Sequence, residues 1–229
     1  MQKFLFLLGV VLLGCQSAPN EKKSIQKKAP NVKLKKDQPQ TPSVKTHKPL
    51  TAKTAIPFFF EYGKNNPETR VEIETQFGTI AIELDKNKPY HRANFIYLVK
   101  NNYFDGTLFH RVVPGFIIQG GNSDNTKIMQ KRRVLGRYLI PVDADPSDRH
   151  HRGVISMPSS EIDNPYKLAS PYEFFIVQQK PGAYHLDGNY TPFGRVIRGM
   201  DVVDKINTVA TDKREMPLIN VSMKIRILP

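Results

Sequence analysis

The sequence predicts a mainly β domain, a closed antiparallel barrel capped by two helices, behind a disordered tether. Three observations carry this. Val71–Thr75 (VEIET) and Thr79–Leu84 (TIAIEL) alternate apolar and polar residues, the period of half-buried strands, with Gln76-Phe77-Gly78 as a hairpin connection. Short β-rich segments then recur at Leu108–Val113, Phe116–Gln119, Val154–Met157, Phe174–Gln178 and Phe193–Ile197, and Val221–Leu228 ends the chain. Many short strands with few helices suit a closed barrel. Finally, composition changes sharply near Ile56, ahead of which no core can form.

The two helices are expected at Pro89–Asn101 and Gly199–Ile206. Pro89 suits a first helical turn, and Ala93, Ile96 and Val99, or Phe95, Leu98 and Val99, would form the inner face. From Gln16 to Ile56 the chain is Lys, Pro, Gln, Thr and Ser. Five prolines between Pro19 and Pro49 interrupt any helical period. Such a composition cannot offset the entropy of ordering. Like charges extend it, to at most about 130–140 Å at roughly 3.3 Å per residue. This segment holds ten lysines against two acids, so +8 of the chain's +13 resides there. The high pI therefore describes a spacer, with anionic lipid or polymer as the weaker reading. No aromatics interleave with these lysines, which argues against nucleic acid.

The N-terminus reads as a sorting signal. A basic start precedes Phe4–Leu13 (FLFLLGVVLL), an apolar run too short to span a bilayer but suited to a signal-peptide core. It ends in Leu12-Leu13-Gly14-Cys15, which resembles the bacterial lipobox. Cys15, the sole cysteine, would then be lipidated and become the mature N-terminus; several acyl chains anchor stably where one does not. The organisation expected is a signal peptide over 1–14, a lipidated tether over 15–56 and a domain over 57–229. The bacterial cell envelope is the expected location, periplasmic or outer-membrane associated, with Gln16 in place of Asp favouring the outer membrane where the host has one. A single cysteine also excludes an internal disulfide or a cysteine-rich zinc site.

The densest chemical signal is Tyr103–Asn122, YFDGTLFHRVVPGFIIQGGN. It reads as two strands joined at Pro114-Gly115, with regular alternation placing Phe109 and Arg111 on one side and His110 on the other. Gly120-Gly121 permits close backbone approach or positive φ. This stretch resembles the signature of the cyclophilins, Phe-His-Arg leading through Pro-Gly-Phe to Gln-Gly-Gly. Matches continue through Gly153–Met157, Glu173–Ile176, Leu186-Asp187-Gly188, Phe193-Gly194 and Gly199–Val203.

The resemblance implies an eight-stranded barrel with two capping helices, isomerisation of X-Pro bonds, and no cofactor or metal. Arg111 matches the catalytic arginine, with His110 just before it. Phe116 and Phe175 match the aromatic walls of a proline pocket, Gln119 the groove glutamine, Leu186 a pocket leucine, and Met157 a residue of the matching strand. Ile117 stands where the family usually has Met, and Tyr190 where animal members often have His. His185 replaces the Trp associated with cyclosporin binding, so sensitivity to that drug should be reduced. Glu173 replaces a common Gln, and its carboxylate could pair with Arg111 or another cation, or sit at the rim. Pro158–Pro171 is longer than the usual loop, and the basic stretch Lys127–Arg137 matches nothing in the family.

Adjacent His150 and His151 would point to opposite faces of a strand, which disfavours a metal site, and no Ser/His/Asp nucleophile is expected. The partners expected are X-Pro segments of exported proteins, bound by a monomeric domain. The alternatives are a proline-motif binding module with little turnover, or an envelope chaperone working through surfaces outside the groove.

Overall fold

The computed structural model describes residues 48–159 and 165–229. The signal segment, Cys15, most of the tether and part of the Pro158–Pro171 stretch lie outside these residues. Among them are ten strands and four α-helices. These are β1 (Leu50–Thr51), α1 (Ala55–Asn65), β2 (Arg70–Thr75), β3 (Gly78–Leu84), α2 (Pro89–Lys100), β4 (Leu108–Val113), β5 (Ile117–Asn122), α3 (Thr126–Leu135), β6 (Gly136–Arg137), β7 (Val154–Ser156), β8 (Phe174–Val177), β9 (Pro192–Arg198), α4 (Met200–Asn207) and β10 (Lys224–Ile227).

Eight strands form one antiparallel sheet in the order β10-β2-β3-β9-β7-β8-β5-β4. Its two ends meet through a bridge between Leu108 and Ser222. There Phe109 N–H donates to the Val221 carbonyl at 2.9 Å and Met223 N–H to that of Thr107 at 3.0 Å, completing the barrel. Closure removes exposed strand edges. Both roles foreseen for Gly120-Gly121 occur at Gly121: a Cβ there would run into the Tyr172 carbonyl oxygen, and its φ is +99°.

The interior is filled by alternate residues of the strands, among them Ile73, Ile80, Ile82, Val112, Ile118, Ile155, Phe174 and Ile176, with Phe95 of α2 and Val203 and Ile206 of α4. Phe95 lies 5.0–5.6 Å from Phe104, Phe174 and Phe193. The two helices read from the sequence therefore close the core as expected.

Two helices were not foreseen. α1 packs on α2 through Phe58 and Phe59, whose rings lie 5.2 and 5.8 Å from Tyr97. Arg92 of α2 reaches back to the end of α1, donating to the carbonyls of Gly63 at 3.0 Å and Asn66 at 2.7 Å. Helices leave their last carbonyls without internal partners, and a cation suits that end. Ordered structure starts ahead of Pro57, because Leu50 pairs with Gly136 and Ala55 is fully buried. α3 occupies the unmatched basic stretch, its start capped by the Asn125 side chain at Lys127 N–H. It buries only Ile128 and Leu135, too thin an apolar stripe to announce a helix.

Candidate active site

The register of β4, β5, β7 and β8 builds a second apolar surface on the outside of the barrel. Across these strands Arg111 faces Gln119, Gln119 faces Phe175, and Phe175 faces Ser156. One row further, Val113 faces Ile117 and Ile117 faces Val177. Ile118 and Ile176 point the other way, into the core. Phe174–Val177 is buried throughout because both faces are covered, the outer one by the segment from Ala183 to Tyr190. Ala183, Leu186 and Tyr190 pack there with Phe116, Ile117, Phe175 and Val177.

The sequence placed Phe109 and Arg111 on the same side of their strand; the structure separates them. The β4–β5 pairing slips between Phe109 and Arg111, so His110 is an extra residue. A bulge reverses the alternation beyond it. Phe109 and Val112 consequently enter the core, while Arg111 and Val113 turn to the outer surface.

Phe116 stacks on His185 at 5.2 Å and 30°. Tyr190 meets Phe175 edge-on at 5.6 Å. Among the residues read as lining the groove, Met157 lies apart: it is 1% exposed and belongs to the main core. The hairpin that carries Phe116 is held by Asn207 of α4, which the sequence did not reveal. Its amide donates to the Val113 and Ile117 carbonyls at 2.9 and 3.1 Å and its oxygen accepts Gly115 N–H at 2.7 Å.

A continuous polar line borders this apolar floor. Arg111 donates from Nε to Glu215 Oε2 at 2.7 Å and from Nη1 to Gln119 Oε1 at 3.3 Å. Gln119 Nε2 donates to Glu173 Oε2 at 3.0 Å. Glu173 also faces His110 Nε2 at 3.5 Å and Arg132 Nη2 at 3.8 Å. Its cation is thus Arg132 of the unmatched helix, and the carboxylate on Arg111 is Glu215. Burial pushes the Glu173 carboxyl up, but the bonds from His110 and Gln119 and the Arg132 charge outweigh it and hold the pKa below the usual value.

Behind Phe175 lies a second network. His150 is fully buried, its ring near-parallel to that of Phe175 at 6.2 Å. Its Nδ1 lies 2.8 Å from Asp187 and its Nε2 3.0 Å from the Ser156 hydroxyl. A Ser–His–Asp alignment therefore exists that the sequence did not reveal. Ser156 and His150 are both 0% exposed, so it is no accessible nucleophile. It ties the turn carrying Leu186 to the strand beneath Phe175. Burial holds the His150 pKa below its ordinary value, against the pull of Asp187.

The arrangement defines a class: a closed barrel with a second apolar cluster on its outer side, an aromatic wall and the Arg111 guanidinium at its edge. The family model for cyclophilin type peptidyl-prolyl cis-trans isomerases matches residues 70–226. A peptidyl-prolyl cis-trans isomerase of Acinetobacter baylyi is 36% identical over 167 residues, covering 68% of this chain and 86% of the relative. One from Schizosaccharomyces pombe is 37% identical over 152 residues, 65% of this chain and 91% of its own. A crystal structure of a Cryptosporidium parvum cyclophilin superposes with a TM-score of 0.59 at 27% identity, covering 71% of this chain and 98% of that one. The same parasite protein in the presence of the dipeptide Ala-Pro gives 0.58 at 28% identity, covering 70% and 99%. The chain belongs to the cyclophilin-type peptidyl-prolyl cis-trans isomerase family, and is an isomerase.

Proposed function

We propose that this chain accelerates cis/trans exchange of X-Pro bonds in exported proteins, with Arg111 stabilising the twisted amide. The supporting observation is the row Arg111–Gln119–Phe175, which sets a cationic donor at the border of the apolar cluster of Phe116, Ile117, Phe175 and Leu186. Isomerisation must overcome about 18–20 kcal/mol of amide resonance. No covalent bond breaks, so preferential binding of the twisted state is sufficient catalysis. In that state the proline nitrogen becomes pyramidal and regains a lone pair, to which a guanidinium can donate. Phe116, Ile117, Phe175 and Leu186 bury the ring and hold it while the preceding carbonyl turns.

The envelope location and the lipid on Cys15 belong to the same proposal. They are supported by the apolar run before Cys15 and the Lys/Pro-rich spacer after it. Mass spectrometry of the N-terminal peptide tests them: an acylated Cys15 is expected, and an unmodified one would remove the anchor.

Activity is tested by NMR exchange spectroscopy of a short X-Pro peptide with the purified chain and with Arg111→Ala. Fast exchange is expected from wild type. Loss of one positioned transition-state donor should remove about 3–4 kcal/mol of acceleration. A folded wild type that leaves the exchange rate unchanged would make the protein a binding module instead.

A further inference from the structure

The carboxylate that meets Arg111 comes from a loop the family signature does not include. We propose that Glu215 is a positioning residue for Arg111, fixing the guanidinium so that it acts on turnover more than on peptide affinity; this rests on the isomerase reading above.

Three observations meet at this residue. First, Arg111 Nε and Nη2 both lie 2.7 Å from Glu215 Oε2. With the Gln119 bond, the hydrogen bonds found among the described residues engage two of the five guanidinium N–H groups, those on Nε and Nη1, while Nη2 meets Glu215 as an ion pair. The other N–H groups, on the two terminal nitrogens, are left for a substrate carbonyl or amide nitrogen. Pinning Nε on one side and Nη1 on the other removes rotation about the last side-chain bonds, and preorganised donors are the ones that favour a transition state.

Second, Glu215 has φ +63°, a conformation an L-residue with a long side chain seldom adopts. Gly or Asn would sit there with less strain. Such backbone positions persist where the surrounding structure imposes them, and they gather at functional sites.

Third, the surrounding loop imposes it. Asp212 Oδ1 accepts the backbone N–H groups of Arg214 and Met216 at 2.8 and 2.9 Å. Asp212 N–H donates to the Met216 carbonyl at 2.9 Å, and Glu215 N–H to that of Asp212 at 3.0 Å. The Glu215 carbonyl in turn accepts Val112 N–H at 2.8 Å, rooting the loop on β4 directly beside Arg111. Backbone and side chain of one residue thus grip two consecutive residues of the strand.

Glu215→Gly separates positioning from mere structure, because glycine relieves the strained backbone while deleting the carboxylate. In the full-length chain we expect its melting temperature to equal or exceed wild type. Its kcat for X-Pro exchange should fall about 10- to 100-fold, with KM changed less than about threefold. Glu215→Gln, which keeps one acceptor oxygen, should recover part of the loss. The Arg111 Nε–H resonance, identified by its absence in Arg111→Lys, should be protected from exchange with water in wild type and lose that protection in Glu215→Gly. Wild-type turnover in Glu215→Gly, or an Arg111 Nε–H equally protected there, would overturn the proposal and leave the isomerase reading intact. A wild type that catalyses nothing would overturn both.

Discussion

The two faces of β5 and β8 are made from neighbouring residues and do different work. Ile118 and Ile176 point inward among the residues of the main core, fully buried. Ile117, Gln119 and Phe175, their immediate neighbours in sequence, point outward to the groove. A period of two lets one strand serve packing and chemistry independently. The inner face should therefore govern stability and the outer face turnover.

The largest effect expected on the inner side is a response to acid. His91 of α2 is fully buried with Phe193 beside it, 6.0 Å away, and neither ring nitrogen has a protein partner among the described residues. Burial, aided by the Lys88 charge, pushes its pKa from 6.5 down to about 3. The folded protein thus keeps His91 neutral where the unfolded chain binds a proton. Stability should fall as pH drops from 6.5 towards 3, by about 4–5 kcal/mol over the window. Urea denaturation at stepped pH measures this, and His91→Leu should flatten the slope. An unchanged slope in that variant would place the acid sensitivity elsewhere.

Ile118→Ala should cost about 2–4 kcal/mol in denaturant midpoint measurements, through the cavity it leaves. The kcat of the protein still folded should stay near wild type. Gln119→Ala, one residue along, should do the reverse: turnover falls about tenfold as Arg111 loses its second anchor, while stability shifts by about 1 kcal/mol or less. A Gln119→Ala chain that melts early yet turns over normally would dissolve the division between the faces. The smallest effect belongs to Glu173→Gln, which restores the amide common in the family. Gln119 keeps an acceptor there, so kcat should move less than about threefold. Because Glu173 has a lowered carboxyl pKa, its ionised form contributes stability above the unfolded pKa that is lost as pH falls through the folded one. The variant should lack that acid-range component in stepped-pH urea titrations.

The hairpin β2–β3, helices α2 and α4, and the strands carrying the groove were legible because their signals are local: alternation, a first-turn proline, and a motif read in order. Helices α1 and α3 were not. α1 is held by aromatic contacts to Tyr97 and Tyr138, far along the chain, and most of α3 faces solvent. Phe109 and Arg111 were assigned to one face because a bulge has no signature in the residues that form it. Arg111, Phe116, Gln119 and Phe175 were found together through the motif, and Met157 was drawn into the site by strand membership alone.

The sequence by itself determined the class of fold and named an arginine and apolar residues that the fold brings to one side of the barrel, since each rests on neighbours or on an ordered pattern. Only the tertiary structure decided what holds them. Glu215 reaches Arg111 across 104 residues, Asn207 reaches Gly115 across 92, and Asp187 reaches His150 across 37. An acid, an amide or a histidine has no periodicity that names a distant partner. Hydrogen bonds are directional, and their geometry exists only once the barrel has closed.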